Sequence, residues 1–407
     1  MSSWIGGAVG PLLLAAMFCC TTGAEAQEKA CGTENKQSGG MSESTYRIVE
    51  AAQKALEEKK YAEAEKKIKD ATEDTKGYER AIVFQTLGYI YAQQNKYSLA
   101  IPAFEEALKL DALPQQPQEN LLYNTGQLYI AAEQYDKAIS LLERYINSAC
   151  KPPSAEAHVQ LAAAYLEKKR FRDALTQVDI ALKKASKPKE QWLQLKLALH
   201  YELKQYSQCA DTLIQLIGLA PDNQQYWRQL SSVLYEVDKD KESVAVLALA
   251  QRQGFLSRET EYRNLLGLYT QTGIPLKAAK LWEDGIKKGV VATNAKNLQT
   301  LSDAYILARE YDEAESNLKR AAQLSDEGDI YKKLGQVYVE QERWDEALDA
   351  FGKALSKGVD KVGSTQLLLG VAAYNLGQND RARQALLAAT KYPDTEKNAR
   401  QWLNYLR

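Results

Sequence analysis

The chain has almost no excess of either charge, with 52 lysine and arginine residues against 53 aspartate and glutamate residues. It therefore has no net field to attract nucleic acid or an anionic membrane, and no acidic or basic partner is implied. Only two histidines occur, His158 and His200, and neither has a cysteine, aspartate or glutamate at metal-ligand spacing. A nucleophile elbow, a phosphate loop and a dinucleotide fingerprint are also missing. The sequence thus predicts no metal, no cofactor and no catalytic residue, which argues against an enzyme.

Long apolar runs are also scarce, and the one that stands out lies at the N-terminus. Residues 5–18 are apolar or small, too short a run to span a bilayer comfortably, and residues 24–26 (Ala-Glu-Ala) supply a small-x-small cleavage pattern. The run departs from the usual signal peptide because no lysine or arginine precedes it. We expect a cleavable signal peptide at 1–26, a flexible leader at 27–42 and a secreted mature protein without a membrane span.

Cysteines are few, and three remain after signal cleavage, an odd number in an oxidising compartment. Phe18 stands before Cys19 where a lipid-attachment motif requires a small residue, so a lipoprotein anchor is not favoured. Cys209 occupies a position that requires a small residue in the pattern described next, which predicts a buried, inert thiol. Cys31 in the leader and Cys150 in a loop are the candidate disulfide pair.

What the chain does have is a pattern repeated along almost its whole length. The motif Leu-Gly-x-x-Tyr, followed by six residues ending in an aromatic ring and then x-x-Ala, begins at Leu87 and again at Leu334. The small residue at its end, here called the anchor residue, recurs at nearly even spacing. The anchor residues are Ala64, Ala100, Ala138, Ala174, Cys209, Ser243, Ala278, Ala314, Ala347 and Ala382. This period and motif resemble the tetratricopeptide repeat (TPR), a pair of helices.

The pattern predicts an all-α fold. The first helix of each pair carries apolar or small residues on one face, as in Phe84, Leu87, Gly88 and Tyr91. We expect about ten TPR helix pairs over 43–393 in a right-handed superhelical solenoid, and a C-terminal capping helix at 394–407 with Asp394 as its N-cap. Repeats six, seven and ten depart most from the motif, because the aromatic residue is replaced there by Asp240, Pro275 and Asn379.

Such an array is expected to bind proteins or extended peptide segments, mainly through the concave face formed by its first helices. Tyrosine, glutamine and asparagine predominate there and suit an extended peptide, because amides bond its backbone and tyrosine rings offer stiff contact area. The same side chains also suit an ordinary solvated surface, which is the alternative interpretation. The candidate partner-binding residues are Tyr46, Gln85, Tyr89, Tyr123, Asn124, Gln127, Gln194, Tyr201, Arg228, Tyr235, Arg263, Asn264, Gln299, Lys332 and Tyr374.

The diverged middle of the chain carries a more specific resemblance. The stretch from Tyr226 to Val291, which begins YWRQLSSVLYEVDKDKESVAVL, resembles periplasmic TPR proteins of Gram-negative bacteria that are assigned to TonB systems. The stretch from Ser325, SDEGDIYKKLGQVYVEQERWDEAL, is similar to them too. The resemblance implies a non-enzymatic periplasmic accessory that works beside ExbB, ExbD and TonB proteins in outer-membrane transport. If a special partner exists, we expect its footprint near Arg228, Tyr235 and Arg263.

Two other functions stay open at this point. A TPR scaffold for envelope assembly, such as exopolysaccharide or peptidoglycan machinery, would show the same repeats. An enzyme would have only the leader at 27–42 as its distinguishing segment. Fold alone does not separate these functions, because repeat arrays vary their surface residues on a common frame.

Overall fold

The structure is a computed structural model that describes residues 40–406. The predicted signal peptide at 1–26 and most of the predicted leader at 27–42 lie outside these residues. The chain divides into two compact units on either side of the Pro221–Asp222 bond. The described part of the first unit contains α1 (Glu43–Glu57), α2 (Tyr61–Lys69), α3 (Gly77–Gln93), α4 (Tyr97–Lys109), α5 (Gln115–Ala131), α6 (Tyr135–Ser148), α7 (Ala155–Glu167), α8 (Phe171–Lys184), α9 (Glu190–Glu202) and α10 (Tyr206–Leu219).

The regular secondary structure of the second unit is also α-helical throughout its described residues. Its helices are α11 (Gln224–Glu236), α12 (Asp240–Arg252), α13 (Glu259–Gln271), α14 (Pro275–Lys287), α15 (Ala295–Leu307), α16 (Tyr311–Leu324), α17 (Gly328–Glu340), α18 (Trp344–Lys357), α19 (Val362–Asn375), α20 (Asn379–Ala389) and α21 (Glu396–Tyr405). The helices pack in consecutive pairs, α1 with α2 through α19 with α20, and α21 follows. The predicted all-α fold of ten helix pairs with a final helix is confirmed, and the right-handed superhelix stays a prediction.

Each anchor residue is the fourth residue of a second helix, and all ten have 0% of their surface exposed. The small size of these residues lets the first helix of the pair come close. From the other side, Gly126 and Gly370 allow the same approach, because a Cβ atom there would lie 2.8 Å from Leu142 Cγ and 2.7 Å from Leu386 Cγ. Interior side chains are close-packed, so these contacts fix the distance between paired helices.

The turn inside every pair has one conformation. The residue five positions before each anchor residue has a positive φ: Lys59, Asn95, Glu133, Lys169, Lys204, Asp238, Gly273, Arg309, Glu342 and Gly377. The next amide then donates back to the first helix, as Lys96 N does to Tyr91 O at 2.9 Å. This left-handed residue and back-bond end the first helix and satisfy its last carbonyls. Only two of the ten positions hold glycine, the residue that adopts this conformation without strain.

The last helix, α21, closes one end of the second unit. Ala399 is fully buried, and Trp402 packs edge-on against Tyr374 with ring centroids 5.4 Å apart. The N-cap prediction was wrong, because the helix begins at Glu396 and Thr395 is the N-cap residue rather than Asp394. The Thr395 hydroxyl donates to Ala389 O at 2.8 Å, which ties the start of α21 to the end of α20.

Within residues 40–406, none of the helices combines the length and the apolar character that crossing a membrane requires.

Candidate partner-binding surface

All fifteen candidate residues lie on first helices, eight in the first unit and seven in the second, and none is fully buried. Their placement agrees with the prediction that first helices carry this surface. Whether they contact a partner stays a prediction.

In the first unit, α3 and α5 bring several candidates together. Asn124 on α5 donates a hydrogen bond to the Tyr89 hydroxyl on α3 at 3.0 Å. The Tyr89 ring stands edge-on to Phe104, with centroids 5.0 Å apart. Burial raises the pKa of Tyr89, while hydrogen bonds with Asn124 and Gln85 oppose that shift. The phenol is therefore neutral at ordinary pH and fixed between two helix pairs.

Tyr123 extends this cluster along α5. Its ring packs against Tyr145 at a centroid distance of 5.2 Å. Burial, Tyr145 and the nearby Glu156 carboxylate raise the pKa of Tyr123 to about 12, and a hydrogen bond with Gln127 acts in the opposite direction. Tyr89 and Tyr123 therefore offer half-buried rings and neutral hydroxyls, while Gln127 is half-buried beside them.

Three further candidates of the first unit are placed at its two ends. Tyr46 on α1 has 55% of its surface exposed. On α9, Gln194 donates to Glu190 at 3.4 Å, and Tyr201 lies edge-on to Tyr206 with centroids 6.3 Å apart. Tyr46 on α1 is thus separated by several helices from the two residues on α9, whereas the candidates of α3 and α5 are on successive first helices.

In the second unit, the two arginines singled out from the sequence are held by internal contacts. Arg228 on α11 donates to the Glu261 carboxylate on α13. Arg263 on α13 donates to Glu259 at 2.6 Å and to Asn297 at 3.2 Å. Its guanidinium also lies 4.7 Å from the ring centroid of Trp282. These cations therefore join neighbouring repeats.

The remaining candidates of the second unit differ in exposure. Tyr235 and Asn264 are exposed, whereas Gln299 and Lys332 are half-buried. Tyr374 is covered in part by Trp402 of α21. A partner that uses this unit would meet exposed side chains around arginines that already have internal partners.

Two buried polar residues that the sequence interpretation missed, Glu261 and Asn297, organise these arginines. Glu261 accepts from the backbone amides of Ser257 at 2.8 Å and Arg258 at 3.1 Å, and from the Arg258 guanidinium at 2.7 Å. Burial alone would raise the pKa of Glu261, but these hydrogen bonds and that from Arg228 lower it below its ordinary value. Both residues stand at the same repeat position, where most other repeats have an apolar residue, and this exception is the signal that could have revealed them.

Each histidine ring lies within hydrogen-bond distance of a glutamine side chain. His158 Nδ1 lies 2.8 Å from Gln177 Oε1, and His200 Nδ1 lies 2.7 Å from Gln205 Oε1. Both rings are buried. Over the described range there is also no group of three or more histidine, cysteine, aspartate or glutamate side chains that could hold a metal ion.

The two cysteines within residues 40–406 are in different states. Cys209 is a free thiol, fully buried, and burial raises its pKa to about 11. Cys150 is disulfide-bonded. Cys31 lies outside the described residues, so its pairing with Cys150 stays a prediction.

Comparisons with known proteins agree with the repeat pattern. Models of the tetratricopeptide repeat match residues 123–190, 300–358 and 332–399, and a second model with the same description matches 81–112. These ranges leave out the diverged stretch from Tyr226 to Val291. Curated proteins provide no significant sequence match.

Several solved structures are similar to the chain at low sequence identity. A tetratricopeptide repeat protein from Parabacteroides merdae is 15% identical with a TM-score of 0.38, over 81% of this chain and 99% of that one. YrrB, described as a TPR protein with an unusual peptide-binding site, is 13% identical with a TM-score of 0.37, over 44% and 89%. The TPR domain of P58(IPK) is 15% identical with a TM-score of 0.26, over 82% and 98%. The segments matched by the family models are tetratricopeptide repeats, and both units of this chain contain them.

Proposed function

We propose that this chain is a non-enzymatic periplasmic scaffold of a TonB/ExbB/ExbD energy-transduction system, and that its first unit holds an extended segment of a partner protein. The observation that carries the proposal is the cluster on α3 and α5, where Tyr89 and Asn124 are bonded at 3.0 Å and Tyr123 and Gln127 are half-buried beside them. Tetratricopeptide repeats are protein-interaction modules, and this cluster has the side chains that such an interaction requires.

The cluster is arranged before any partner arrives. Packing against Phe104 and Tyr145 fixes the rings of Tyr89 and Tyr123, so little side-chain entropy remains to be lost on binding. Asparagine and glutamine amides both donate and accept, which matches the alternating N–H and C=O groups of an extended backbone. These properties favour recognition of a peptide segment over recognition of a small molecule.

The assignment to a TonB system has separate support. It comes from the family resemblance of Tyr226–Val291 and of the stretch from Ser325. The periplasmic location is supported by the apolar run at 5–18 and the cleavage pattern at 24–26. Mass spectrometry of the mature protein from a periplasmic fraction tests the location, with cleavage after Ala26 as the expected result and an uncleaved cytoplasmic protein as the contrary one.

Site-specific photocrosslinking in intact cells tests the partner. A photoreactive phenylalanine analogue replaces Gln127 on α5, and a matched control replaces Thr176, an exposed residue of α8 in the same unit. We expect Gln127 to crosslink a TonB-like or ExbD-like protein and Thr176 to give no such product. Recovery of polysaccharide synthases or export porins at Gln127 would support envelope assembly instead, and absence of any partner at Gln127 would contradict both functions.

A further inference from the structure

Four consecutive first helices of the first unit, α3, α5, α7 and α9, share a face without charged residues, whereas α1 has Glu50 on the same face. The residues 15, 14, 11 and 8 positions before the anchor residue share one face of a helix, because they fall within about 120° of each other at 3.6 residues per turn. On α3, α5, α7 and α9 these sixteen positions contain no aspartate, glutamate, lysine or arginine. Since 26% of the chain is charged, about four charges would be expected. We call these positions the neutral surface.

The repeat frame itself does not exclude charge from these positions. On α11, α13, α15 and α17 of the second unit, the same positions hold Arg228, Arg263, Asp303, Lys332 and Lys333. Four of these residues form internal ion pairs, as Lys333 does with Asp303 at 2.7 Å. In the second unit only α19 lacks charge at these positions. The run of four uncharged first helices therefore occurs in the first unit alone, and helix pairs stack without it.

The neutral surface provides hydrogen-bonding groups and aromatic rings, but it has no charged group that could pair with a charge on a ligand. It supplies half-buried amide and hydroxyl groups from Gln85, Tyr89, Asn124, Gln127 and Gln160. At its edge, the Glu156 carboxylate near Tyr123 is already paired with Lys189 at 2.6 Å. A charged ligand side chain placed here would lose water without gaining a counter-charge, which is costly. A neutral segment loses less water and can bond its backbone to the amides.

We infer that the neutral surface selects an extended, uncharged polypeptide segment and that the second unit takes no part in this contact. The inference rests on the proposed function and adds the chemistry of the ligand and the unit that binds it. If successive first helices lie about 10 Å apart, the surface from α3 to α9 spans roughly 30 Å. Such a span accommodates about nine residues of extended chain.

Peptide selection on the purified mature chain tests this inference without knowledge of the natural partner. A random phage-displayed library of peptides about twelve residues long, enough to span the surface in extended form, is the probe. We expect the enriched peptides to contain less than about half the charged residues of the input library, because each uncompensated charge opposes burial. We also expect their binding to change little between about 0.05 and 0.5 M salt. Failure to enrich peptides, or enrichment of charged ones, overturns the inference.

A matched pair of substitutions locates the site. Gln127→Lys and Gln336→Lys place the same charge at the same repeat position, the first in the neutral surface and the second in the other unit. Affinity for an enriched peptide should fall at least about tenfold for Gln127→Lys and stay within about twofold for Gln336→Lys. Gln160→Lys on α7 provides a second variant if Gln127→Lys lowers the melting temperature. Equal losses from the Gln127→Lys and Gln336→Lys variants, or no loss from either variant of the neutral surface, would refute the assignment.

The outcome of the peptide selection is independent of the outcome of the crosslinking experiment. If charged peptides are enriched while Gln127 crosslinks a TonB-like protein, the ligand chemistry is wrong and the proposed function stands. If neutral peptides are enriched and no TonB-like or ExbD-like protein is crosslinked, the neutral surface is correct and the TonB assignment is wrong.

Discussion

Arg228 donates a hydrogen bond to the carboxylate of Glu261, which lies 33 residues later in the chain. The bond joins the first helix of the sixth repeat to the first helix of the seventh. Arg263 stands in the same position of the seventh repeat as Arg228 in the sixth, and it donates to Asn297 of the eighth. Two successive joints of the diverged region therefore use one arrangement, in which an arginine of one repeat donates to a buried polar residue on the first helix of the next.

We predict that the Arg228–Glu261 pair stabilises the second unit. A double-mutant cycle with Arg228→Met and Glu261→Gln should give a coupling free energy of about 1–2 kcal/mol, because the carboxylate is almost fully buried. Urea unfolding of the full mature chain measures it. The control pair is Arg47–Glu43, whose side chains are 75% and 78% exposed and whose coupling should be about 0.5 kcal/mol or less. Equal coupling in the two pairs would contradict this prediction.

The Arg228–Glu261 coupling should also depend on pH in one direction. The pKa of Glu261 is lowered in the folded chain, so the unfolded state binds the proton more readily. The stability from this carboxylate is therefore fully present above its ordinary pKa and is lost as pH falls through the lower folded value. Urea unfolding of the wild type and of Glu261→Gln across the acid range checks this prediction. A difference in unfolding free energy between the two proteins that widens as pH falls would contradict it.

Gly126→Ala should destabilise the third repeat. A Cβ atom at Gly126 would lie 2.8 Å from Leu142 Cγ, and Leu142 is fully buried and cannot move aside. We expect a loss of about 1–3 kcal/mol from this overpacking, measured as a lower urea midpoint. Gly352→Ala is the matched control, because Gly352 lies within α18 with no atom within 4 Å of the added Cβ. It should stabilise the chain by roughly 0.5–1 kcal/mol through helix propensity.

Glu342→Gly should raise stability although it removes a side chain. Glu342 is exposed and has φ 57°, a conformation that costs non-glycine residues about 1–2 kcal/mol, and the greater freedom of unfolded glycine offsets part of the gain. We therefore expect a net increase of about 0.5–1 kcal/mol in thermal and urea unfolding. Gln336→Gly in the exposed interior of α17 is the control and should lose about 1 kcal/mol. A loss at both positions would show that the turn is not strained.

Cys209 should be inert toward thiol reagents in the folded chain. Burial raises its pKa to about 11, so little thiolate exists at neutral pH. We expect its reaction with a disulfide reagent at about pH 8 to be at least about a hundredfold slower than in denaturant, as followed by absorbance. Ser207→Cys, at an exposed position of the same helix, is the control and should add one rapidly reacting thiol. Rapid reaction of native Cys209 would show that α10 opens readily.

The buried frame of the fold could be predicted because burial at close helix contacts restricts residue size. Ala100, Cys209 and Ser243 differ in chemistry but all fit where two helices meet, and all are fully buried. The half-buried aromatic residue that begins a second helix, such as Tyr97, is restricted in the same way. At positions of this kind, the residue type alone predicts the structural role.

Other features could not be predicted because they depend on pairs of distant residues. The repeat position of Glu261 marks it as an exception, but the sequence does not show that Arg228 and the amide of Ser257 face it. Asp394 looked like an N-cap because the sequence does not show that the Thr395 hydroxyl bonds back to Ala389. The sequence predicted that the candidate residues lie on first helices, as they do, but it did not show which of their side chains bond each other.

The left-handed residue inside each helix pair has a consequence for how this protein can change in length. It stands five positions before the anchor residue in all ten repeats, whereas the interval between anchor residues varies, being longer from Ala100 to Ala138 than from Ala314 to Ala347. Differences in length are thus accommodated before the turn, in the connection between repeats and in the first helix, which has 17 residues in α5 and 13 in α17, and not in the turn within a pair. Epitope tags and reporter modules should be spliced into connections such as residues 185–189, while the inner turns accept new side chains but no change in residue number.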